Sequence, residues 1–304
     1  MSGTGLRVAA LAACVTAPLA GQVPLSGPLV LSLPPTVRSA ALNGAATALV
    51  GDAGAVFANP AGLATIRHIA LEGSYRLLPT PEAYVASGAV AWRIRQFDFG
   101  VGGRYADLGA SPERYGSAPP GSEVREVLGV GSAVYRRGMI ALGATAKQVR
   151  RRVDSQEERG HGLDAGFAIA FFDIMAIAFS RQNVGGNWDE TSSLVMPALS
   201  RLGFTMNYVD PQESFRLLSV IEVQWPEDAE SRLVLGGEGG VVLEGVGVVG
   251  RIGYGSHRLF GLGGSSDLTY GATVELPRVR FDYAYRSRDL LDRPAHQFGV
   301  RFRL

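Results

Sequence analysis

A single cysteine occurs in the 304 residues, Cys14, and it lies in what reads as a leader. A mature chain without thiols has no disulfide framework and no thiolate metal site, which fits export to an oxidising compartment. Charge of one sign is lacking too: Lys+Arg 29 against Asp+Glu 28 leaves a formal net charge of +1. That balance argues against nucleic acid as a partner and against a polybasic hold on a membrane surface. Beyond the leader there is no run of about 18 apolar residues, which excludes a helical span. Yet only 19% of residues are charged and mean hydropathy is +0.12, unusual for a soluble protein. A closed β-barrel reconciles these facts. It satisfies its backbone between strands, and its inward-facing polar residues dilute the hydropathy. The 40 glycines suit strands whose backbones bend or pack closely.

The start of the chain has the features of an export signal. Arg7 precedes a short apolar run from Val8 to Val15, and Ala17-Pro18-Leu19-Ala20 offers small residues for cleavage near Ala20. Leu11-Ala12-Ala13-Cys14 resembles a lipoprotein box as well, although it comes early after the start. The expected organisation is a signal peptide over 1–20, an N-terminal extension and plug over 21–66, and an outer-membrane barrel over 67–304.

From Ile69 onward the dominant period is two. Phe97, Phe99, Val101 and Tyr105 share one face, while Asp98, Gly100, Gly102 and Arg104 share the other. Strands are expected near 69–77, 83–94, 96–107, 124–136, 139–151, 162–172, 174–182, 199–209, 214–225, 231–241, 246–256, 267–276, 279–287 and 295–304. That is about fourteen, each near the length a tilted strand needs to cross a bilayer. Links after odd strands are mostly long and polar, as at 108–123, 152–161, 183–198 and 257–266; links after even strands are tight. This parity is the up-and-down pattern of an outer-membrane barrel, with long extracellular loops and short periplasmic turns. An even strand count puts both termini on the periplasmic side. The fold class is therefore all-β: a transmembrane antiparallel up-and-down barrel with a short helical N-terminal plug.

Ahead of the barrel, Pro24 to Pro35 reads as extended. Ser39 to Val50 reads as a helix with Ser39 as its N-cap and Gly51 as its stop. Asp52 is placed to cap a further turn through Ala58, which Asn59-Pro60 ends.

The stretch from Ala41 to Ala64 (ALNGAATALVGDAGAVFANPAGLA) resembles the N-terminal signature of the PorV/PorQ family, within the wider group of barrels like the long-chain fatty-acid transporter FadL. The resemblance rests on a small-residue helix, an acidic turn at Asp52, then Phe57 and Asn59, Pro60, Ala61, Gly62 and Leu63. It implies an outer-membrane barrel whose N-terminal segment is a hatch. In FadL-like members the cargo is a hydrophobic small molecule, whereas PorV-like members assist type IX protein secretion. Both remain open here, and the expected partners are outer-membrane lipid with either a hydrophobic solute or secretion-system proteins. A single-barrel monomer without cofactor is expected.

No catalytic constellation stands out. The histidines His68, His161, His257 and His296 are scattered and lack metal-binding spacing. A hydrolase would need a placed Ser-His pair, and none is visible, so an enzyme is not expected. Gly261 to Ser266 is glycine-rich but lacks the lysine of a phosphate loop. On the polar face of the strands lie Glu72, Arg76, Asp98, Arg104, Glu238, Arg251, Glu275, Arg280, Asp282, Arg286, Arg301 and Arg303. A lipid-facing arginine at midplane costs about 2–4 kcal/mol, so these are expected in the lumen or at the rims. They form either an ion-pair network that stiffens the lumen or a charged conduit. Phe298, Phe302 and Leu304 resemble the C-terminal assembly signal of bacterial barrels. Gly100, Gly102 and Gly103 are candidate kinks for a side opening.

Overall fold

The computed structural model describes residues 27–304 apart from 111, 113–117, 173, 186–193, 210–213, 228, 244 and 258–266. The leader and the glycine-rich 261–266 stretch lie outside the described residues.

Fourteen strands close into one antiparallel barrel, each paired with its sequence neighbours: β1 (Ile69–Leu77), β2 (Tyr84–Ile94), β3 (Phe97–Asp107), β4 (Val124–Arg137), β5 (Ile140–Val153), β6 (Gln156–Phe171), β7 (Met175–Val184), β8 (Leu199–Val209), β9 (Phe215–Pro226), β10 (Arg232–Leu243), β11 (Val246–Gly255), β12 (Asp267–Glu275), β13 (Val279–Arg286) and β14 (Ala295–Arg303). Closure is made by β1 against β14, from Ala70 opposite Arg303 to Leu77 opposite His296. With no free edge, every strand's backbone is paired, as a membrane interior demands.

Side-chain alternation sorts the two faces. In β4 burial switches at nearly every residue, with Val124, Glu126, Leu128, Val130, Ser132 and Val134 turned inward. Outward stand Phe97, Tyr135, Leu142, Ile177, Leu202, Ile221 and Phe281, all exposed. An apolar belt of this extent around a closed barrel marks contact with lipid. Aromatics gather at both of its borders. Tyr75 stacks on Tyr84 at 5.2 Å near one end, and Trp92 on Phe99 at 6.0 Å near the other.

Two expectations about the wall are corrected. The polar 152–161 stretch is not a loop: β5 and β6 continue through it to a two-residue turn at Asp154-Ser155, where Asp154 takes a left-handed φ of 53°. The alternation persists there in arginines and glutamates, which the hydropathy pattern hid. Second, Gly100, Gly102 and Gly103 make no kink, because β3 pairs in unbroken register with β2 and β4 over residues 97–107. The register shift in the described wall falls between β6 and β7, beside Leu163 and Ala165.

The segment ahead of β1 is broken into short pieces: α1 (Leu29–Ser32), α2 (Val37–Ala41) and 3-10 turns at Ala53–Phe57 and Pro60–Thr65. The proline-rich stretch is therefore not wholly extended, since Pro28 precedes α1 as its N-cap. The Ser39–Val50 helix is corrected as well. Thr36, not Ser39, is the cap, its side chain accepting from the Ser39 N–H at 3.0 Å. The helix stops at Leu42 because Asn43 and Gly44 both adopt positive φ. Alanine's intrinsic helix preference loses here to wall contacts that hold residues 43–50 irregularly.

Detergent-solubilised protein is expected to give a mainly β circular-dichroism spectrum and heat-modifiable gel mobility; a mainly helical spectrum would contradict the barrel.

Candidate functional site: a segment clasped inside the lumen

Residues 27–66 lie within the barrel and touch most of its circumference. Small residues on the inward face make room for them. A Cβ on Gly100 would stand 2.5 Å from Val56 Cγ1, and one on Gly253 would stand 2.5 Å from the Asn43 nitrogen. A Cβ on Gly166 or Gly271 would come closer still to Asn59 and Ala41 respectively. The inward glycines of β3 thus make room for Val56, Phe57 and Leu63 rather than bending the strand.

At the end carrying the longer links the packing is apolar. Leu29 and Val30 of α1 belong to one buried cluster with Leu78, Leu108, Leu194, Met196 and Leu290. Two wall residues hold α1 by its backbone. Glu126 accepts from the Val30 N–H at 3.0 Å, and Arg104 donates to the carbonyls of Val30, Leu33 and Pro34 at 2.9, 3.0 and 2.6 Å. Arg104 also lies 4.8 Å over the Phe57 ring. The expected turn-side position of the N-terminus falls outside the described residues; the described chain begins at the loop end, with Gly27 against Pro197.

Midway, wall side chains take up much of the polar backbone of residues 41–47. Glu222 accepts from the N–H groups of Ala46 and Thr47 at 2.9 and 2.8 Å, Arg201 donates to the Gly44 carbonyl at 3.1 Å, and Thr269 donates to the Ala41 carbonyl at 2.9 Å. Arg232 donates to the Asn43 carbonyl at 2.9 Å and to its side-chain oxygen. Across the barrel, Gln182 of β7 donates to the Phe57 and Ala58 carbonyls at 3.1 and 2.6 Å. Gln182 continues the inward row of Ala176, Ala178 and Ser180, and the next residue, Asn183, with φ 58°, is buried out of turn at the irregularity, where a bulge re-aims its side chain.

Toward the turn end lies an ionic clasp. Asp52 does not cap its 3-10 turn through its side chain, as was expected. Its carboxylate meets Arg301 at 2.5 Å, Arg38 at 3.0 Å and Arg303 at 3.3 Å. Arg38 in turn reaches Glu238 at 2.5 Å, and Arg301 reaches Asp282 at 2.6 Å. Arg251 bridges Glu238 and Asp282 at 3.3 and 3.4 Å, and Glu72 accepts from the Gly54 N–H at 2.9 Å. Burial alone would raise the Asp52 carboxyl, but Arg301, Arg38 and Arg303 outweigh it and hold it well below the usual carboxylate range. Burial would likewise lower Arg38, yet Glu238 and Asp52 hold it above the ordinary arginine value.

The remaining polar-face residues pair locally. Glu275 takes Arg216 at 2.5 Å and also Arg280; Asp98 takes Arg93 at 2.8 Å. Arg286 meets Asp267 at 2.8 Å and Asp289 at 3.7 Å, and Arg76 also meets Asp289. In the motif, Asn59 is buried, donating to the Thr47 carbonyl at 2.8 Å and accepting from the Ala61 N–H at 3.1 Å. Asn59-Pro60 thus ends one turn and starts the next. Pro60 and the Ala61 nitrogen lie against Gly143, Gly62 under Leu49, and Leu63 is fully buried. Phe298 and Phe302 face outward, and Leu304 donates its N–H to the Ile69 carbonyl at 3.0 Å. Among the described residues no cluster of His, Cys, Asp or Glu could hold a metal.

A cavity of about 310 Å³ borders the clasp near the turn end. One wall is apolar, with Ala170, Met175, Ala176 and Leu218; the other carries Arg38, Arg251, Arg280, Arg301 and Arg303.

A closed fourteen-strand barrel with its lumen occupied by an N-terminal segment is a fold this chain shares with solved barrels. Among solved structures it resembles the Pseudomonas putida toluene transporter TodX, at 11% identity and a TM-score of 0.59 over 88% of this chain and 96% of that one. The Ralstonia pickettii toluene transporter TbuX aligns at 13% identity and a TM-score of 0.60, covering 88% and 98%. CymD, a monoaromatic hydrocarbon channel, aligns at 10% identity and 0.59, covering 88% and 96%. At these identities the likeness is one of fold. These neighbours are described as transporters and channels. No family model matches the chain, and no curated protein matches it.

Removing one partner of a buried ion pair costs on the order of 3–5 kcal/mol. Asp52→Asn is therefore expected to loosen the segment without opening the barrel: trypsin should cut after Arg38 faster while heat-modifiability is kept. Equal cutting rates would contradict the clasp. Because the folded-state Asp52 value is depressed, its contribution is fully present above the ordinary value of about 4 and is lost as pH falls below that. Wild-type protection of Arg38 should follow the same course.

Proposed function

We propose that the chain is an outer-membrane channel for hydrophobic small molecules, with residues 39–64 as its hatch. The long links face the cell exterior and the short turns face the periplasm. The observation that carries this reading is the division of the lumen seal into two unlike halves. At the loop end the seal is apolar packing around α1, a surface an apolar solute can join without leaving a polar group unpaired. At the turn end the seal is the Asp52 clasp, whose charges can trade partners with water once the segment shifts. The neighbouring cavity of about 310 Å³ is large enough for a single aromatic ring, given that a dry cavity of about 150 Å³ accepts benzene. Phe298, Phe302 and Leu304 act in assembly, and the barrel works as a monomer.

The other reading is a non-transporting component of protein secretion, supported by the likeness of residues 41–64 to the PorV/PorQ signature. Recovery of a large protein partner on native purification would favour it.

Deleting residues 39–58 should raise the uptake of toluene into vesicles carrying the reconstituted barrel. If wild type and deletion leak equally, the segment is no hatch.

A further inference from the structure

The outward face of β4, β5 and β6 changes character in register with height. Three successive cross-strand rows are apolar: Tyr135–Leu142–Phe167, Ala133–Ala144–Ala165 and Gly131–Ala146–Leu163. The next row holds Gln148 and His161, whose side chains bond to each other at 3.0 Å. Above it Arg150 stands opposite Arg159, and above that Arg152 stands between Arg125 and Glu157. Rows two residues apart along a strand lie about 7 Å from each other, so lipid-facing surface gives way to arginines within one or two rows.

Two of these cross-strand pairs, Arg150 with Arg159 and Arg125 with Arg152, set like charges directly opposite each other. Such pairs destabilise a sheet unless a counter-charge sits between them. Protein supplies part of it. Glu157 lies 2.8 Å from Arg159 and 3.4 Å from Arg152, and Arg125 leans on Asp107 and Glu123, both at 3.4 Å. Arg150 has no ion-pair partner among the described residues, and the central three guanidiniums face one carboxylate. All three are exposed, point away from the lumen, and ride on strands that continue past the apolar belt.

We propose that Arg150, Arg152 and Arg159 bind the phosphate groups of the phosphorylated glycolipid of the membrane's outer leaflet. Guanidinium matches phosphate with paired, charge-assisted hydrogen bonds, and a phosphate between Arg150 and Arg159 removes the repulsion the sheet otherwise carries. The lipid's acyl chains lie along the alanine and leucine rows beneath, and Gln148 with His161 meets its sugar. The strand extension that lengthens β5 and β6 thereby serves as a lipid anchor. The inference rests on the orientation proposed above, with loops outside.

The test compares wild type with an Arg150→Gln/Arg152→Gln/Arg159→Gln variant, and with Arg150→Gln alone should the triple variant fail to fold. Each is exchanged into detergent with purified bis-phosphorylated lipid A, the dephosphorylated form, phosphatidylglycerol, or inorganic phosphate alone, and retained lipid is read by native mass spectrometry. Wild type should retain phosphorylated lipid A at least about tenfold better than the variants and than the other lipids. Equal retention by wild type and variants, or equal retention of phosphatidylglycerol, would overturn the proposal, as would full competition by inorganic phosphate. In parallel, a Ser155→Cys variant in intact cells is treated with an impermeant maleimide. Labelling from outside supports the orientation; no labelling until the cells are opened overturns the orientation and the lipid site together. Outside labelling with equal lipid retention overturns the lipid site alone.

Discussion

Asp52 is a buried carboxylate, and a charge in that position persists only where opposite charge surrounds it. Arg301 and Arg303 come from the last strand and Arg38 from the segment itself, so the match is divided between plug and wall. Each half is fully matched only with the other in place. An empty barrel would leave Arg301 with Asp282 and Glu238 with Arg251, each one partner short, and a free segment would leave Asp52 with Arg38 alone. The same division recurs higher up with backbone in place of side-chain charge on the segment, where Glu222, Arg201, Arg232 and Thr269 of the wall complete the hydrogen bonds of an irregular backbone. The segment is therefore one with the barrel in energy while separate from it in chain topology.

In the proposed channel a seal built this way is firm but reversible. Aliphatic packing at the loop end is non-directional and tolerates an added apolar solute. The ionic end is directional, with a few groups deciding whether the segment stays. Displacing it exposes guanidiniums and carboxylates that already pair with one another along the wall, as Arg251 does with Asp282 and Glu238. The wall thus retains much of its own charge balance when the segment leaves.

The strands were legible because a membrane barrel enforces a strict two-residue period, and most boundaries fall within two residues of those expected. The 152–161 stretch misled because β5 and β6 leave the lipid there, so apolar residues stop marking the outer face while the strands go on. The segment was legible as a plug but not as a shape. Alanine-rich sequence suggested a long helix, whereas Asn43 and Gly44 turn the chain to meet Arg232 and Arg201. Inward charges such as Arg104 and Asp282 could be picked out by parity. Arg38, Glu126, Glu222 and Gln182 were missed. Each lies at an inward or irregular position whose partner is a backbone atom, or a residue far away in sequence. Parity alone would have flagged Glu126, Glu222 and Gln182, the last in the inward row of Ala176, Ala178 and Ser180.

The central claim is that residues 39–64 must move for a solute to pass. A Cβ on Gly203 would stand 3.4 Å from that of Thr47, close to disulfide range, so Thr47→Cys with Gly203→Cys in a Cys14→Ser background can tie segment to wall. Toluene uptake by vesicles carrying this variant should fall to the barrel-free background when oxidised and return on reduction. Uptake unchanged by oxidation, with the cross-link verified by mass, would contradict the account.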